Sequence, residues 1–379
     1  MILLEHGPDG KPAAFVRPRR IVTAWRADQV MPALAELDAA RADGLWVAGT
    51  MAYEAGFALE PSLLPLMPAP GETPLLNFGI YLAPSDPAPL LDAARAEAPA
   101  ARLAPLRPMV SPADYAAAFS AVKDHIAAGN AYQINLTFPL ETTLLSGTPL
   151  GLFGSLRARQ PVGFGACLDF GAGPILVSRS PELFFQTSAT GRIESRPMKG
   201  TAPRDADPVQ DAVLAEALRH SPKDRAENLM IVDLLRNDIS RISRVGSVRV
   251  PELFAVESFA TVHQMTSRVI GQLTDPPALT RLMPALFPCG SITGAPKIRA
   301  MQIISQVEPH PRGPYCGAIG WMAPDGAACF NVAIRTLSLT GASIRLNAGG
   351  GVVQDSTVLG EWEEALWKTR YLSSLIQQA

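Results

Sequence analysis

The chain is poor in the features that mark a secreted, zinc-bound or nucleic-acid-binding protein. It has four cysteines in 379 residues. They stand at Cys167, Cys289, Cys316 and Cys329, never at the close spacing of a zinc site, and read as reduced thiols rather than a disulfide framework. The net charge is only −2, which gives no electrostatic case for nucleic acid or an anionic membrane. Hydrophobic residues make up 47% of the chain, yet no run is long enough to span a bilayer. The first eleven residues carry Glu5, His6 and Asp9 and lack a basic-then-apolar leader, so a cytoplasmic protein is expected. No internal repeat is visible.

A chain of this length can bury a large core. The Pro/Ala-rich stretch Pro84 to Pro112 reads as a crossing or linker, which divides an N-terminal portion, residues 1–105, from a compact portion, residues 106–379. Ser111-Pro112-Ala113-Asp114 reads as a helix start, with an N-cap serine, proline at the first helical position and an acid in the first turn. Further helices are expected at Pro32–Ala42, Leu91–Ala96, Pro208–Arg219, Lys223–Asp238, Ala278–Leu286, Lys297–Val307 and Leu359–Gln377. Strands are expected at Leu45–Gly49, Ala131–Phe138, Gly163–Leu168, Pro174–Arg179, Leu183–Thr187, Arg192–Ser195, Phe259–Val269, Gly317–Met322, Cys329–Leu337 and Ser343–Ala348. Strands in hairpin-like runs with few, grouped helices predict an α+β fold with large antiparallel sheets.

Chemistry concentrates in a few segments. Arg196-Pro197-Met198-Lys199-Gly200-Thr201 places one lysine between a proline and a glycine, in a stretch otherwise poor in lysine. Lysine in a partly dry pocket loses some preference for its charged form and becomes a usable nucleophile; read locally, it is equally a solvated lysine on a turn. Asp224 and Glu227 stand at i, i+3 on one expected helix, and Glu361 and Glu364 repeat the spacing on another, with Lys368 four residues on. Two such faces brought together would offer the hard oxygen ligands that Mg²⁺ takes, while each alone also fits an ordinary solvated face. Gly349-Gly350-Gly351 would let backbone N–H groups approach a carboxylate, or would simply form a flexible turn. Gly290 to Lys297 departs from a phosphate-loop pattern, because its lysine follows a proline and no Ser or Thr comes next, but it leads into a helix N-terminus. Arg335, in an apolar stretch, suits bidentate carboxylate recognition or an internal salt bridge.

Taken in order, these segments resemble the chorismate-utilising enzymes. The resemblance is carried by Tyr132-Gln133-Ile134-Asn135-Leu136-Thr137, Ser180-Pro181-Glu182, Arg196 to Thr201, and the run from Asp224 to Asp238. Val262-His263-Gln264-Met265, Gly290 to Lys297, Arg312-Gly313-Pro314-Tyr315, Val332 to Leu337 and Gly349 through Lys368 complete it over residues 110–375. Gly49-Thr50-Met51-Ala52-Tyr53-Glu54-Ala55 is the matching N-terminal piece. The resemblance implies two large antiparallel sheets packed as a sandwich and flanked by helices, with the site in a deep cleft. It implies Mg²⁺ held by Glu227 and Glu364, with Asp224 and Glu361 supporting through water. Tyr315, Arg335, Lys368 and Gly349 to Gly351 fall on positions that hold substrate carboxylates, and Ser291 and Thr201 join the substrate-binding set. Glu182 falls on the general acid, Lys199 on a nucleophile and His263 on a histidine beside the ring.

Within the family, the water-adding branch uses a lysine base where this chain has Gln133, and the branch that aminates C2 carries alanine where this chain has Lys199. The expected activity is therefore Mg²⁺-dependent amination of chorismate at C4 to 4-amino-4-deoxychorismate, toward 4-aminobenzoate and folate. No glutaminase domain is recognisable, so ammonia is expected from a glutamine amidotransferase partner or from solution. C2 amination, the anthranilate-forming reaction, is the alternative, and a non-catalytic chorismate-binding homologue the second.

Overall fold

A computed structural model describes residues 1–259 and 262–377 of the chain. Among them, two large sheets lie face to face, and every ladder between their strands is antiparallel. The first sheet is organised around the long strand Gln133–Ser146, which pairs with Ser343–Val352 from Thr143 opposite Ser343 to Ile134 opposite Val352. It continues through Thr336–Thr340, Ile175–Ser180, Phe164–Leu168, Ile2–Leu4 and Ala13–Phe15. The second runs from Met198–Pro203 through Val262–Gln272, Arg192–Arg196, Leu183–Thr187, Ala328–Val332 and Ala318–Met322 to Trp46–Met51, Leu76–Tyr81 and Arg20–Ala24.

The N-terminal residues thus extend both sheets. Ile2, Leu4 and Phe15 of the first sheet meet Ala48, Tyr81, Ile319 and Trp321 of the second in one apolar layer between the sheets. The outer face of the second sheet packs Phe78, Phe184 and Phe330 with Leu34, Ile231 and Leu282 from helices Ala27–Ala42, Pro222–Ser240 and Leu279–Leu286. The outer face of the first packs Ile134, Leu346 and Leu136 with Phe119, Ile303 and Ala365 from helices Pro112–Ala127, Lys297–Val307 and Val358–Trp367. Each apolar helix stripe is covered by a sheet, as α+β packing requires. No described helix is long and apolar enough to cross a membrane.

Local chemistry sets the helix ends. Ser111 Oγ accepts from Asp114 N at 3.1 Å with Pro112 at the first turn. Ser221 Oγ accepts from Asp224 N at 3.3 Å, again with a proline following. The helix expected from Pro32 begins at Ala27 instead, because Gln29 Oε1 accepts from the N–H groups of Trp25 and Arg26 and supplies the start that the proline was expected to give. The helix expected to reach Gln377 ends at Trp367, and Arg370–Leu375 forms a separate 3₁₀ turn that buries Leu372 and Leu375, three apart as that geometry repeats.

Three strand expectations change in ways that matter for function. The run 329–337 is two strands: the chain leaves the second sheet at Val332 and enters the first at Thr336, and Arg335 sits at the crossing with a left-handed φ of 50°. The strand from Ser343 continues to Val352, so Gly349 to Gly351 are strand residues and not a turn after one. Arg196 to Thr201 is no surface turn either: Met198–Pro203 is a strand at the end of the second sheet. The expected strand from Phe259 begins at Val262 and runs to Gln272; positions 260 and 261 of that expectation lie outside the described residues.

Ser221→Ala removes the cap of the helix that carries Asp224 and Glu227. It is expected to lower unfolding free energy by about 1 kcal/mol. Urea denaturation checks this, and a midpoint equal to wild type would sink it.

Candidate active site

A cavity of about 670 Å³ opens where the two sheets, helix Pro222–Ser240 and helix Val358–Trp367 converge. Five carboxylates and four cationic side chains line it: Glu182, Asp224, Glu227, Glu361 and Glu364, against Lys199, Lys223, Arg335 and Lys368. The chain has only six lysines, and three of them face this one space.

Lys199 reaches the cavity through a β-bulge. Met198 pairs with Thr266 and Thr201 with Gln264, so the strand carries one residue more than its partner between these points. Gly200 takes up the irregularity with φ 86°, and a Cβ there would lie 2.8 Å from both Cβ and Oδ1 of Asp224. Only glycine lets this strand close on the acidic helix. Gln264 Nε2 donates to Gly200 O at 2.7 Å, and Thr201 Oγ1 donates to Gln264 Oε1 at 3.0 Å, which pins the bulge. Among the described residues no carboxylate stands in an ion pair with Lys199. Burial draws its ammonium pKa down; Glu227, Glu182 and Glu364 oppose this, and Lys368 adds to it.

Glu182 is 5% exposed. Ser180 Oγ accepts from its N–H at 3.2 Å and donates to Val332 O at 2.6 Å, so the Ser-Pro-Glu corner is tied to the neighbouring strand. Ser291 Oγ donates to Glu182 Oε1 at 2.7 Å. Burial pushes the carboxyl up to about 7, although Ser291, Lys199 and the Met198 N–H favour its ionised form. A group with that pKa can hold a proton near neutrality and give it up.

The four helix acids all face the cavity. Ser356 Oγ donates to Glu361 Oε1 at 2.7 Å, and Lys368 Nζ lies 2.7 Å from Glu364 Oε1. Burial raises Glu227, with Asp224 and Glu361 adding repulsion; burial also raises Glu361, with Glu364 adding to it. Burial would raise Glu364 too, but Lys368 beside it brings its pKa below the ordinary value. Among the described residues no three acid, His or Cys side chains already stand in a metal-coordinating cluster. The donor chemistry nevertheless fits a hard divalent cation, since carboxylates from two helices repel one another across a shared space. Gly350 leaves room there: a Cβ on it would come within 2.7 Å of Glu361 Oε2 and 3.5 Å of Glu364 Oε1.

Gly349 and Gly351 line the cavity, while Gly350 backs the helix acids instead. Thr336–Thr340 pairs with this strand only as far as Arg345, so the glycines have one backbone edge free of a sheet partner, and Gly349 O accepts from Lys368 Nζ at 2.8 Å. Arg335 has no acidic partner among the described residues; burial lowers its pKa, with the Tyr371 phenol opposing. The internal salt bridge open to it in the sequence is absent, which leaves a cation facing the cavity. Tyr315, Ser291 and Thr201 line the same space.

His263 does not. Val262 and Gln264 face the cavity, and strand alternation turns His263 to the opposite side. It is 2% exposed there, with Nε2 2.9 Å from Asp211 Oδ1 and Nδ1 2.9 Å from Ser258 Oγ. The family resemblance implies a histidine beside the ring at this position; strand alternation, applied to the same segment, selects Gln264 instead. Asn135, Lys223, Trp367 and Tyr371 also line the cavity without having been singled out. Gln133 is fully buried behind Gly351, with neither amide atom hydrogen-bonded.

Comparison with known proteins gives the family and the fold. The chain is 45% identical over 257 residues to an aminodeoxychorismate synthase of Streptomyces griseus, covering 68% of this chain and 35% of that protein. It is 44% identical over 262 residues to aminodeoxychorismate synthase component 1 of Klebsiella aerogenes, covering 69% of this chain and 57% of the relative. The matched region is thus between a third and three-fifths of the length of these relatives. The structure of anthranilate synthase component I from Streptococcus pneumoniae superposes with a TM-score of 0.80 at 25% identity, over 98% of this chain and 91% of that one. Residues 2–374 match the chorismate binding enzyme family, and the chain belongs to it.

Proposed function

We propose that the chain aminates chorismate at C4, giving 4-amino-4-deoxychorismate and water from chorismate and ammonia. The observation that carries this reading is Lys199, without an ion pair among the described residues, in one cavity with a carboxyl that burial pushes up to about 7. Arg335, Tyr315 and Lys368 receive the substrate carboxylates, and the free edge of Gly349 to Gly351 lies beside them. Lys199, as the neutral amine, attacks C2; both ring double bonds shift one position toward C4, and the C4–O bond breaks as Glu182 gives its proton to the departing hydroxyl. Ammonia then attacks C4, both double bonds shift back, and the C2–N bond to Lys199 breaks with its electron pair returning to the amine. Pyruvate is not released. Glu227 and Glu364, with Asp224 and Glu361 in support, would hold Mg²⁺, which supplies positive charge to a bound substrate carboxylate. The relative from Klebsiella is named as component 1, which supports ammonia supply by a separate glutamine amidotransferase subunit.

Incubated with chorismate, Mg²⁺ and ammonium, the protein is expected to form 4-amino-4-deoxychorismate. Chromatography showing anthranilate and pyruvate instead would transfer the chain to C2 amination, and chorismate binding without turnover would make it a non-catalytic homologue. Lys199→Ala is expected to lose C4 amination by at least ~10²-fold, and an unchanged product and rate would remove Lys199 from the mechanism.

Glu182→Gln separates catalysis from stability. Loss of the acid is expected to cost ~10²–10³-fold in kcat. The native carboxyl binds its proton more tightly than the unfolded one, so wild-type stability falls as pH rises from the ordinary glutamate value toward 7. The uncharged variant avoids that loss. It should exceed wild type by on the order of 2 kcal/mol at pH 8 and by little near pH 4.5. Equal denaturation midpoints at both pH values would contradict the buried-acid assignment.

A further inference from the structure

The N-terminal segment Gly49 to Ala55 has no part in the chemistry above, yet it holds one of the most buried carboxylates in the chain. Glu54 is 6% exposed. Its Oε1 accepts from Arg312 N at 2.7 Å, and its Oε2 accepts from Gly313 N at 3.0 Å. Tyr53 N donates to Gly313 O at 2.8 Å, so the two segments are joined in both directions. Arg312 Nε and Nη2 form a two-point pair with Glu308 at 2.8 and 2.7 Å. Two further donors go to Ile292 O at 3.0 Å and Asn135 O at 2.6 Å, and its guanidinium lies 4.6 Å from the Tyr53 ring centre. Asn135, Ile292 and Tyr315 all line the substrate cavity.

We propose that Glu54 is a positioning residue for substrate binding: by fixing the backbone of Arg312 and Gly313 it sets the turn that presents Tyr315 to the cavity. The inference rests on that cavity being the chorismate site. Backbone N–H groups aimed at a carboxylate form charge-assisted hydrogen bonds, which hold a turn harder than neutral acceptors do. Gly313 has a left-handed φ of 59° that these bonds stabilise. The opposite side of the turn faces a second cavity of about 1060 Å³, also lined by Glu54, Arg312, Gly313 and Tyr315. That cavity gives solvent protons a route to Glu54 that does not cross the substrate site.

Burial raises the Glu54 carboxyl to about 6, against the pull of its backbone donors and Arg312. The other titratable groups of this cluster are Glu308, Tyr53 and Cys316. Protonation of Glu54 weakens the bonds that hold the turn, so substrate binding should weaken as pH falls through about 6.

Steady-state kinetics on the full chain with chorismate, Mg²⁺ and ammonium test this. Glu54→Gln is expected to raise the KM for chorismate about tenfold with kcat within about twofold, and to abolish the rise in KM below pH 6. Glu54→Asp keeps the charge, and a retained KM rise below pH 6 is expected with an intermediate KM; this variant serves where Glu54→Gln does not fold. In a Tyr315→Phe background, Glu54→Gln should add less than twofold, since both act through one group. A KM equal to wild type with the same pH dependence, or effects that multiply in full, would overturn the proposal. Wild-type protein that leaves chorismate unconsumed overturns the functional reading itself, whereas turnover with an unaltered variant KM overturns only the role of Glu54.

Discussion

The cavity walls depend on one buried cation. Arg312 is 3% exposed, and an isolated guanidinium in such a place would cost many kcal/mol. Its cost is offset because four of its five donors find oxygens: two on Glu308, one on Ile292 and one on Asn135. Those oxygens belong to a helix end, a turn and a strand of the first sheet. Glu308 in turn accepts from Thr137 N at 2.8 Å, two residues further along that strand. No single element could satisfy the charge. The segments must come together for Arg312 to be buried at all, and the cavity is what lies between them. Removing one member leaves an uncompensated charge, which is why this cluster fixes geometry more than it adds stability.

A second electrostatic division operates inside the cavity. Lys368 is committed to Glu364 and to Gly349 O, and Lys223 lies at 4.0 Å from Glu227 on its own helix. Both shape the site by holding acids and backbone in place, and the Lys368 ammonium keeps a third donor for a substrate carboxylate. Lys199 and Arg335 have no comparable partner among the described residues. One is a primary amine whose pKa burial lowers, and the other is a planar guanidinium that stays charged. The first suits bond formation and the second suits carboxylate recognition, so the two cations left over are chemically unlike in a way the proposed reaction needs.

Much of this was legible in the sequence because the relevant signals are local. The helix start at Ser111 follows from a side chain that caps a backbone donor, and the structure has that cap. The i, i+3 acids need only a helix to share a face, and both pairs do. The convergence of the two helices was not legible from spacing; it came from the family resemblance. His263 shows the opposite failure. The family resemblance places it beside the ring, whereas the period of its strand decides which side chain reaches the cavity. Glu54 and Arg312 stand 258 residues apart in sequence, so no local pattern shows their partnership.

The places where regular pattern breaks are also where the reactive side chains stand. Lys199 occupies a bulge, and Arg335 occupies a left-handed residue between sheets. Both irregularities do geometric work. In an unbroken strand the side chain direction is fixed by position, alternately toward one face and the other. A bulge adds a residue and re-aims one side chain without moving the strand's neighbours, and a crossing residue belongs to neither sheet and can face the gap between them. The glycine at position 200 and the positive φ at Arg335 carry a local conformational cost that the surrounding ladders absorb. A periodic reading therefore assigns Arg335 to a strand and Lys199 to a turn. It misplaces both for one reason: periodicity describes the residues that hold the sheets together, and these two serve the space the sheets enclose.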